Sequence, residues 1–217
     1  MSEKAQILPE GENSVKSGNK VRTIMMWASI AVALVVIAVL AYIYLYKQPA
    51  VQKANEAIGE ADRIALFENN DSTALAAYEA VANDYGFDAG NRAKLEAAIM
   101  LYQQGEYQKA LDYVSKYDNT DDVIAALALG LKGDCLVNLD RNSDAVSAFK
   151  KAISQSDDNP QLVPYFLQKL ATIYSAEGNY KDAIEAYKEI EKTYPFYAQR
   201  AAIEGLRIQA EALDAKH

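Results

Sequence analysis

An uncharged apolar segment over residues 24–46, IMMWASIAVALVVIAVLAYIYLY, constrains this chain more than any other feature. As an α-helix rising ~1.5 Å per residue it spans roughly 34 Å, enough to cross the ~30 Å hydrocarbon core of a bilayer. The apolar part of a signal peptide is typically only about 7–15 residues long and ends in small residues. Here the segment ends in Tyr42, Tyr44 and Tyr46, followed by Lys47, as interfacial anchors do. The sequence therefore predicts a retained transmembrane helix over 24–46.

The basic residues around this segment predict its orientation, because they concentrate on the cytoplasmic side of membrane helices. Four basic residues precede the segment: Lys4, Lys16, Lys20 and Arg22. Three follow it closely: Lys47, Lys53 and Arg63. This bias predicts a short cytoplasmic tail over 1–23 and a large domain over 47–217 outside the cytoplasm. Residues 1–20 are polar and contain Pro9, so the tail is expected to lack regular structure.

The domain over 47–217 is acidic. The chain has a formal net charge of −8, and its first 46 residues hold four of the 22 Lys and Arg residues and three of the 30 Asp and Glu residues, so the domain carries −9. Such a charge repels the phosphates of nucleic acids and anionic lipid headgroups. Nucleic-acid binding is therefore excluded as a function class, and the membrane is expected to be contacted through the single helix.

The sequence offers few residues for catalysis or metal binding. Cys135 is the only cysteine and His217, at the terminus, is the only histidine. Neither a Ser-His-Asp nor a Cys-His arrangement can be built from them, and sites with several cysteine or histidine ligands are excluded. The chain is therefore expected not to be an enzyme and to hold no cofactor or metal.

A motif repeats four times along the domain. GNYKDA at 178–183 recurs as GEYQKA at 105–110 and DRNSDA at 140–145, and more loosely before Ala74. The last alanines of these motifs lie at 74, 110, 145 and 183, so the spacing is 36, 35 and 38 residues. A period in this range suits two antiparallel helices and their turns.

These motifs resemble the tetratricopeptide repeat, whose small residues let two helices cross closely. Residues 164–197 fit the family pattern best, and the segment around 55–86 departs from it most. The resemblance implies an all-α fold: one N-terminal transmembrane helix, then an α-α superhelix of about four helical hairpins. Residues 198–213 place apolar residues on one face and are expected to form a capping helix.

The resemblance also implies a binding surface, formed mainly by the first helix of each hairpin. Its positions in this chain are Arg92, Leu95, Ile99, Tyr102, Gln103, Asp134, Asn138, Tyr165, Gln168 and Thr172. Tyrosine, glutamine and asparagine side chains suit extended peptide ligands. The alternative is that some of these residues pack only against neighbouring repeats. The basic clamp by which some repeat proteins hold a terminal carboxylate is absent from these positions.

Several residues are expected to begin or end helices. Pro49 is expected to break the helix after the membrane segment and to let the domain pivot. The acidic cluster at 118–122 lacks the glycine and the final carboxylate of a calcium loop, so Thr120 or Asp121 is expected to cap a helix. Modification of Asn70 or Ser72, which lie in a glycosylation-like sequence, stays open.

In length and layout the whole chain resembles the YfgM family of ancillary SecYEG translocon subunits, in its Bacteroidetes form. That resemblance implies an inner-membrane protein with a periplasmic domain, which partners SecYEG and a PpiD-like prolyl isomerase and assists client polypeptides. The alternatives are a scaffold of another cell-envelope assembly and an organellar protein-import component. The sequence leaves open the oligomeric state and which face of the repeats binds.

Overall fold

The computed structural model of the protein describes residues 12–68, 70–118 and 121–216. Residues 1–11 of the predicted tail, the candidate cap Thr120 and the terminal His217 lie outside the described residues. The chain divides into two compact units, Met1–Lys53 and Ala54–His217.

A long helix dominates the first unit. Helix α1 (Glu12–Tyr42) is followed by a π-helical turn (Ile43–Lys47) and helix α2 (Gln48–Phe67). In the described part of the chain, one helix is long and apolar enough to cross a membrane, and its most apolar stretch is not buried in the protein. The helix begins before the apolar segment, at Glu12, because extending a formed helix costs little once it is nucleated. The prediction of an irregular tail is therefore wrong over residues 12–20.

The predicted break at Pro49 is also wrong, because α2 continues through it. Proline has no N–H for the carbonyl four residues back, here that of Leu45, and its ring crowds that carbonyl. The π-helical turn lies directly before the proline, and Gln48 N donates to Ile43 O, five residues back. Such a widened turn accommodates local strain without ending a helix.

The second unit consists of helical hairpins, and no strand occurs among the residues that the structure describes. The all-α fold and the four hairpins are confirmed, with α2 forming the first helix of the first pair. The remaining helices are α3 (Asp71–Asp84), α4 (Phe87–Gln103), α5 (Tyr107–Val114), α6 (Asp122–Asn138), α7 (Asn142–Gln155), α8 (Leu162–Ala176), α9 (Tyr180–Thr193), α10 (Pro195–Arg200) and α11 (Ile203–Asp214).

The repeated small residues lie where the helices cross. The four marker alanines are buried, three of them completely: Ala74, Ala110, Ala145 and Ala183. At the crossing of α6 and α7, a Cβ atom added to Gly133 would lie 2.7 Å from the ring of Phe149, which is itself fully buried. A Cβ atom on Gly130 would likewise overlap the ring of Phe166. Both glycines are therefore packing features of the helix crossings.

The turn within a hairpin requires a left-handed backbone at one position. Gly105 and Gly178 both have φ +79°, and Asp140 has φ +56° at the equivalent place. Glycine adopts this conformation without steric cost, and aspartate is among the few other residues that tolerate it. This explains why the motif begins with Gly105, Asp140 and Gly178 in these three hairpins.

Two helix starts use the side chains that the sequence singled out. Asp121 caps α6 by accepting from Ile124 N at 3.0 Å, which confirms this prediction. Asn70, in the glycosylation-like sequence, caps α3 by accepting from Thr73 N at 3.2 Å. A side chain of this kind satisfies one of the backbone donors that a helix leaves unpaired.

The C-terminal cap consists of two helices rather than the one predicted over 198–213. The chain reverses between α10 and α11 at Ala202, which has φ +51°. This turn lets α11 lie along α9, where Ile203 and Ala210 are buried and Arg207 bonds Glu191 at 2.9 Å. The capping role is confirmed, and only the boundaries differ.

One hairpin departs from the others in length. Helix α5 has eight residues, whereas α3, α7 and α9 have 14 each. The chain leaves the helix at Ser115, where the family pattern continues the second helix. Because α5 ends early, the part of α6 beyond Ser115 is not covered by α5.

Candidate protein-interaction surface

The predicted binding residues all lie on the first helices of the hairpins. Arg92, Ile99, Tyr102 and Gln103 belong to α4, Asp134 and Asn138 to α6, and Tyr165, Gln168 and Thr172 to α8. Their spacing of three, four or seven residues places them on one side of each helix. We call the surface formed by these sides of α4, α6 and α8, together with Asp62 at the end of α2, the first-helix face.

The first contact across this face joins α2 to α4. Arg92 Nη2 lies 2.8 Å from Asp62 Oδ1, and Tyr78 Oη donates to the same oxygen at 2.9 Å. Burial, reinforced by the neighbouring Asp62 carboxylate, raises the pKa of Tyr78, so its hydroxyl remains a donor at neutral pH. Asp62 therefore holds Arg92 in place. The sequence gave no reason to select Asp62, which the family pattern expects to be a small residue.

The second contact joins α4 to α6. Asn138 Nδ2 donates to Tyr102 Oη at 3.4 Å and to the Asp134 carbonyl at 2.8 Å. The ring of Tyr102 also meets that of Tyr107 edge to face, with centroids 5.4 Å apart. Burial is the main reason that the pKa of Tyr102 is raised. Its hydroxyl therefore stays protonated at neutral pH and can donate outward while accepting from Asn138.

The third contact joins α6 to α8 through Lys169, which was not among the predicted residues. Lys169 Nζ lies 2.9 Å from Asp134 Oδ1 and 5.4 Å from the centroid of the Tyr165 ring. Burial lowers the pKa of Lys169, but the bond to Asp134 and its charge outweigh burial, so the pKa is raised overall. The lysine therefore stays charged. Lys169 lies four residues after Tyr165, and this spacing is the signal that could have found it.

The fourth contact brings α10 into the same face. Tyr197 Oη donates to Gln168 Oε1 at 2.7 Å, and Arg200 Nη2 donates to Gln161 Oε1 at 2.7 Å. The Arg200 guanidinium also lies 5.5 Å from the centre of the Tyr197 ring. The short helix that follows the last hairpin thus extends the polar surface by one more element.

The predicted residues fall into three groups. Five are held by a neighbouring helix: Arg92, Tyr102, Asp134, Asn138 and Gln168. Leu95 and Ile99 are half-buried, and three side chains are exposed: Gln103, Tyr165 and Thr172. Packing against neighbouring repeats, the alternative that the sequence left open, thus describes the first group.

Two apolar residues on the first-helix face were missed. Val123 and Leu127 are 46% and 47% exposed, although both are large aliphatic residues near the start of α6. Leu127 lies seven residues before Asp134, on the same side of the helix. A cavity of about 270 Å³ also lies on this face, lined by Tyr165, Gln168, Lys169 and Thr172. The surface therefore offers apolar contact beside fixed polar groups.

We expect the Asp134–Lys169 pair to stabilise the array. Asp134→Ala would leave a half-buried ammonium without its partner and should lower the free energy of unfolding by about 1–2 kcal/mol, since solvent still screens Lys169. Thermal unfolding of the full chain in lipid nanodiscs measures this effect.

The exposed pair Lys109–Glu106 is the control for that experiment. Lys109→Ala should change the unfolding free energy by less than about 0.5 kcal/mol. The double variant Asp134→Ala with Lys169→Met removes the lysine charge together with the carboxylate. It should therefore be more stable than Asp134→Ala alone and recover much of the lost unfolding free energy. Equal losses in Asp134→Ala and Lys109→Ala would contradict this account.

Comparisons with known proteins agree with the hairpin architecture. Two tetratricopeptide repeat family profiles match, one over residues 63–124 and the other over 165–196. A crystal structure of MamA protein is similar to this chain, with a TM-score of 0.59 and 19% identity over 75% of this chain and 85% of that one. A second MamA crystal structure is similar with a TM-score of 0.55 and 21% identity, over 72% of this chain and 91% of that one. No curated protein matches the sequence. At this identity the structural likeness concerns the fold alone.

Proposed function

We propose that this tetratricopeptide repeat protein is a membrane-anchored interaction module that acts as an ancillary subunit at the Sec translocon. Its partners would be SecYEG and a PpiD-like prolyl isomerase, and its clients secreted polypeptides that leave the channel. Tetratricopeptide domains mediate protein–protein interaction, and the polar, partly apolar first-helix face carries that part of the proposal. The Sec assignment is supported by the resemblance of the whole chain to the YfgM layout.

The arrangement of polar groups on the first-helix face supports peptide binding. Tyr102 and Asn138 fix each other, and Lys169 is held between Asp134 and Tyr165, so these groups are preorganised before a ligand arrives. Preorganised side chains lose little conformational entropy on binding. Exposed Val123 and Leu127 add apolar area, which is the usual source of affinity for extended or helical segments.

The anchor supports a tethering mechanism. Val21–Phe67 forms a helix suited to crossing a membrane, and the four basic residues before its apolar segment, against three after it, favour a domain outside the cytoplasm. The inner-membrane, periplasmic placement is supported by the resemblance to the YfgM layout. A binding module fixed in the same membrane as its partner meets it at an effective concentration far above that of a free protein. We propose no catalytic step for this protein.

Purification from the native membrane in mild detergent tests the proposal. We expect translocon subunits and a membrane-anchored prolyl isomerase to accompany the intact protein, and their recovery to fall about tenfold when Leu127→Ser and Tyr165→Ala are combined. Ile208→Ser is the matched control, since Ile208 is exposed on α11 and lies outside the first-helix face. Recovery of unrelated machinery would overturn the Sec assignment, and insensitivity to the two substitutions would overturn the proposed surface.

Sealed membrane vesicles test the topology separately. If the domain is periplasmic, protease added to the outside of right-side-out vesicles should degrade residues 47–217, whereas in inverted vesicles the domain should be protected. Protection in the opposite orientation would favour a component whose domain faces the cytosol, as in the organellar import alternative.

A further inference from the structure

A second groove lies on the opposite layer of the array, between the second helices α5 and α7. It has a volume of about 450 Å³, and α6 forms its base. A further cavity of about 260 Å³ shares Ser115, Leu129 and Lys132 with it, so the two form one continuous depression along α6. None of the residues predicted from the sequence to bind a partner lines this groove.

The part of the depression that lies beyond Ser115 is open because α5 is short. Compared with α3, α7 and α9, this helix lacks six residues, which correspond to about 9 Å of helix. Leu129 and Lys132 of α6 are half-buried beside the place where α5 ends. The part of α6 beyond the end of α5 is therefore uncovered over a length of about one to two helical turns.

The side chains in the groove differ from the rest of the acidic domain. Leu111, Leu136 and Ala148 form a largely buried apolar base. Both carboxylates that line the 450 Å³ groove are already bonded to a nearby side chain: Asp112 accepts from Gln108, and Asp144 accepts from Arg141, which directly precedes α7. The 450 Å³ groove thus presents apolar surface and two engaged carboxylates, whereas Asp118 lies in the adjoining cavity.

Two lysine side chains that line the groove have no acidic partner among the described residues. Lys132 and Lys151 form no ion pair with any residue in the described ranges 12–68, 70–118 and 121–216. Lys132 is half-buried at the base, and Lys151 is exposed on the rim. A local excess of positive charge beside an apolar base attracts a ligand with acidic and apolar groups on adjacent faces.

We propose that this groove binds an amphipathic helix of a partner protein, with acidic side chains beside an apolar ridge. The ridge would lie over Leu111, Leu129 and Ala148, and the carboxylates would meet Lys132 and Lys151. The space left by the short α5 accommodates a helix, and helix-in-groove recognition places apolar anchors at three- and four-residue spacing. This inference goes beyond the first-helix face, because it concerns a different surface and a different class of ligand.

A pair of probe peptides tests the groove in the full chain, held in nanodiscs of zwitterionic lipid. One peptide is a four-turn helix of leucine, alanine and glutamate with leucine along one side, and the other carries lysine in place of glutamate. An environment-sensitive fluorophore on Ser147→Cys reports occupancy of the groove, and the same label on Ser72→Cys of α3 is the control. Buried Cys135 does not compete for the label. Empty nanodiscs give the background.

We expect the glutamate peptide to bind and to change the signal only from Ser147→Cys. Combining Lys132→Gln with Lys151→Gln should weaken binding about tenfold. Lys150→Gln with Lys181→Gln changes the net charge equally outside the groove and should leave binding unchanged. The first-helix variants Leu127→Ser and Tyr165→Ala should also leave it unchanged, which separates this inference from the proposed function. Equal binding of both peptides, or insensitivity to the groove lysines, would overturn it.

Discussion

Phe149→Ala lowers the free energy of unfolding by about 3–5 kcal/mol, the largest stability change that we expect from one substitution in this chain. Phe149 is fully buried, and its ring packs against Gly133 and lies 6.2 Å from the centre of the Phe166 ring. Removing the ring leaves a cavity where α6, α7 and α8 meet, because the fixed helices cannot collapse into it. Thermal unfolding followed by circular dichroism in nanodiscs should show a midpoint lower by roughly 10 °C or more.

Gly133→Ala tests the same contact from the other side. In the natural background the new methyl group would lie 2.7 Å from the Phe149 ring and should destabilise the protein by about 1–3 kcal/mol. In the Phe149→Ala background the same methyl group fills part of the cavity and should be neutral or stabilising. Gly205→Ala meets no atom within 4 Å and should add up to about 1 kcal/mol through helix propensity. The same destabilisation by Gly133→Ala in both backgrounds would contradict this packing.

Cys135 is expected to be almost inert toward thiol reagents while the protein is folded. The side chain is completely buried, and burial raises the pKa of its thiol to about 11. The thiolate is the reactive species, so the shift from 9.0 alone slows the reaction about 100-fold at neutral pH, before the loss of access is considered. Alkylation with N-ethylmaleimide followed by mass spectrometry should show no native modification in the time that denatured protein reacts completely.

The pH dependence of Cys135 has a definite sign. Because folding raises the pKa of this thiol, its contribution to stability is complete below the pKa of the unfolded state, near 9.0, and is lost as the pH rises through about 11. Cys135→Ala should therefore reduce the alkaline loss of stability between these two values. A curve of stability against pH that is identical for both proteins, or rapid native alkylation, would show that the thiol is accessible.

The repeat pattern in the sequence predicted most of the fold, because its small residues have a steric role. Ala110, Ala145 and Ala183 recur at a helical-hairpin period, and each lies buried where two helices cross. The cap at Asp121 was predictable because such caps act within one turn of the chain. The burial of Cys135 agrees with its position within an apolar helix.

Features that depend on contacts between helices were not predictable from periodicity. The bond of Lys169 to Asp134 requires the register of α8 against α6, which neither helix encodes alone. Exposed Val123 and Leu127 resemble core residues in composition, so only the structure distinguishes them. The helix through Pro49 depends on a π-helical turn whose geometry has no clear sequence signature.

The polar pairs along the first-helix face are local links between hairpins. Each pair joins one helix only to its neighbour, as Arg92 does with Asp62 and Lys169 with Asp134. A polar pair that separates exchanges its partner for water at a small net cost, but separating two hairpins also exposes the buried apolar contact between them, such as that of Phe166 with Gly130. A force along the array is therefore expected to meet its main resistance in these apolar contacts, one joint between hairpins at a time.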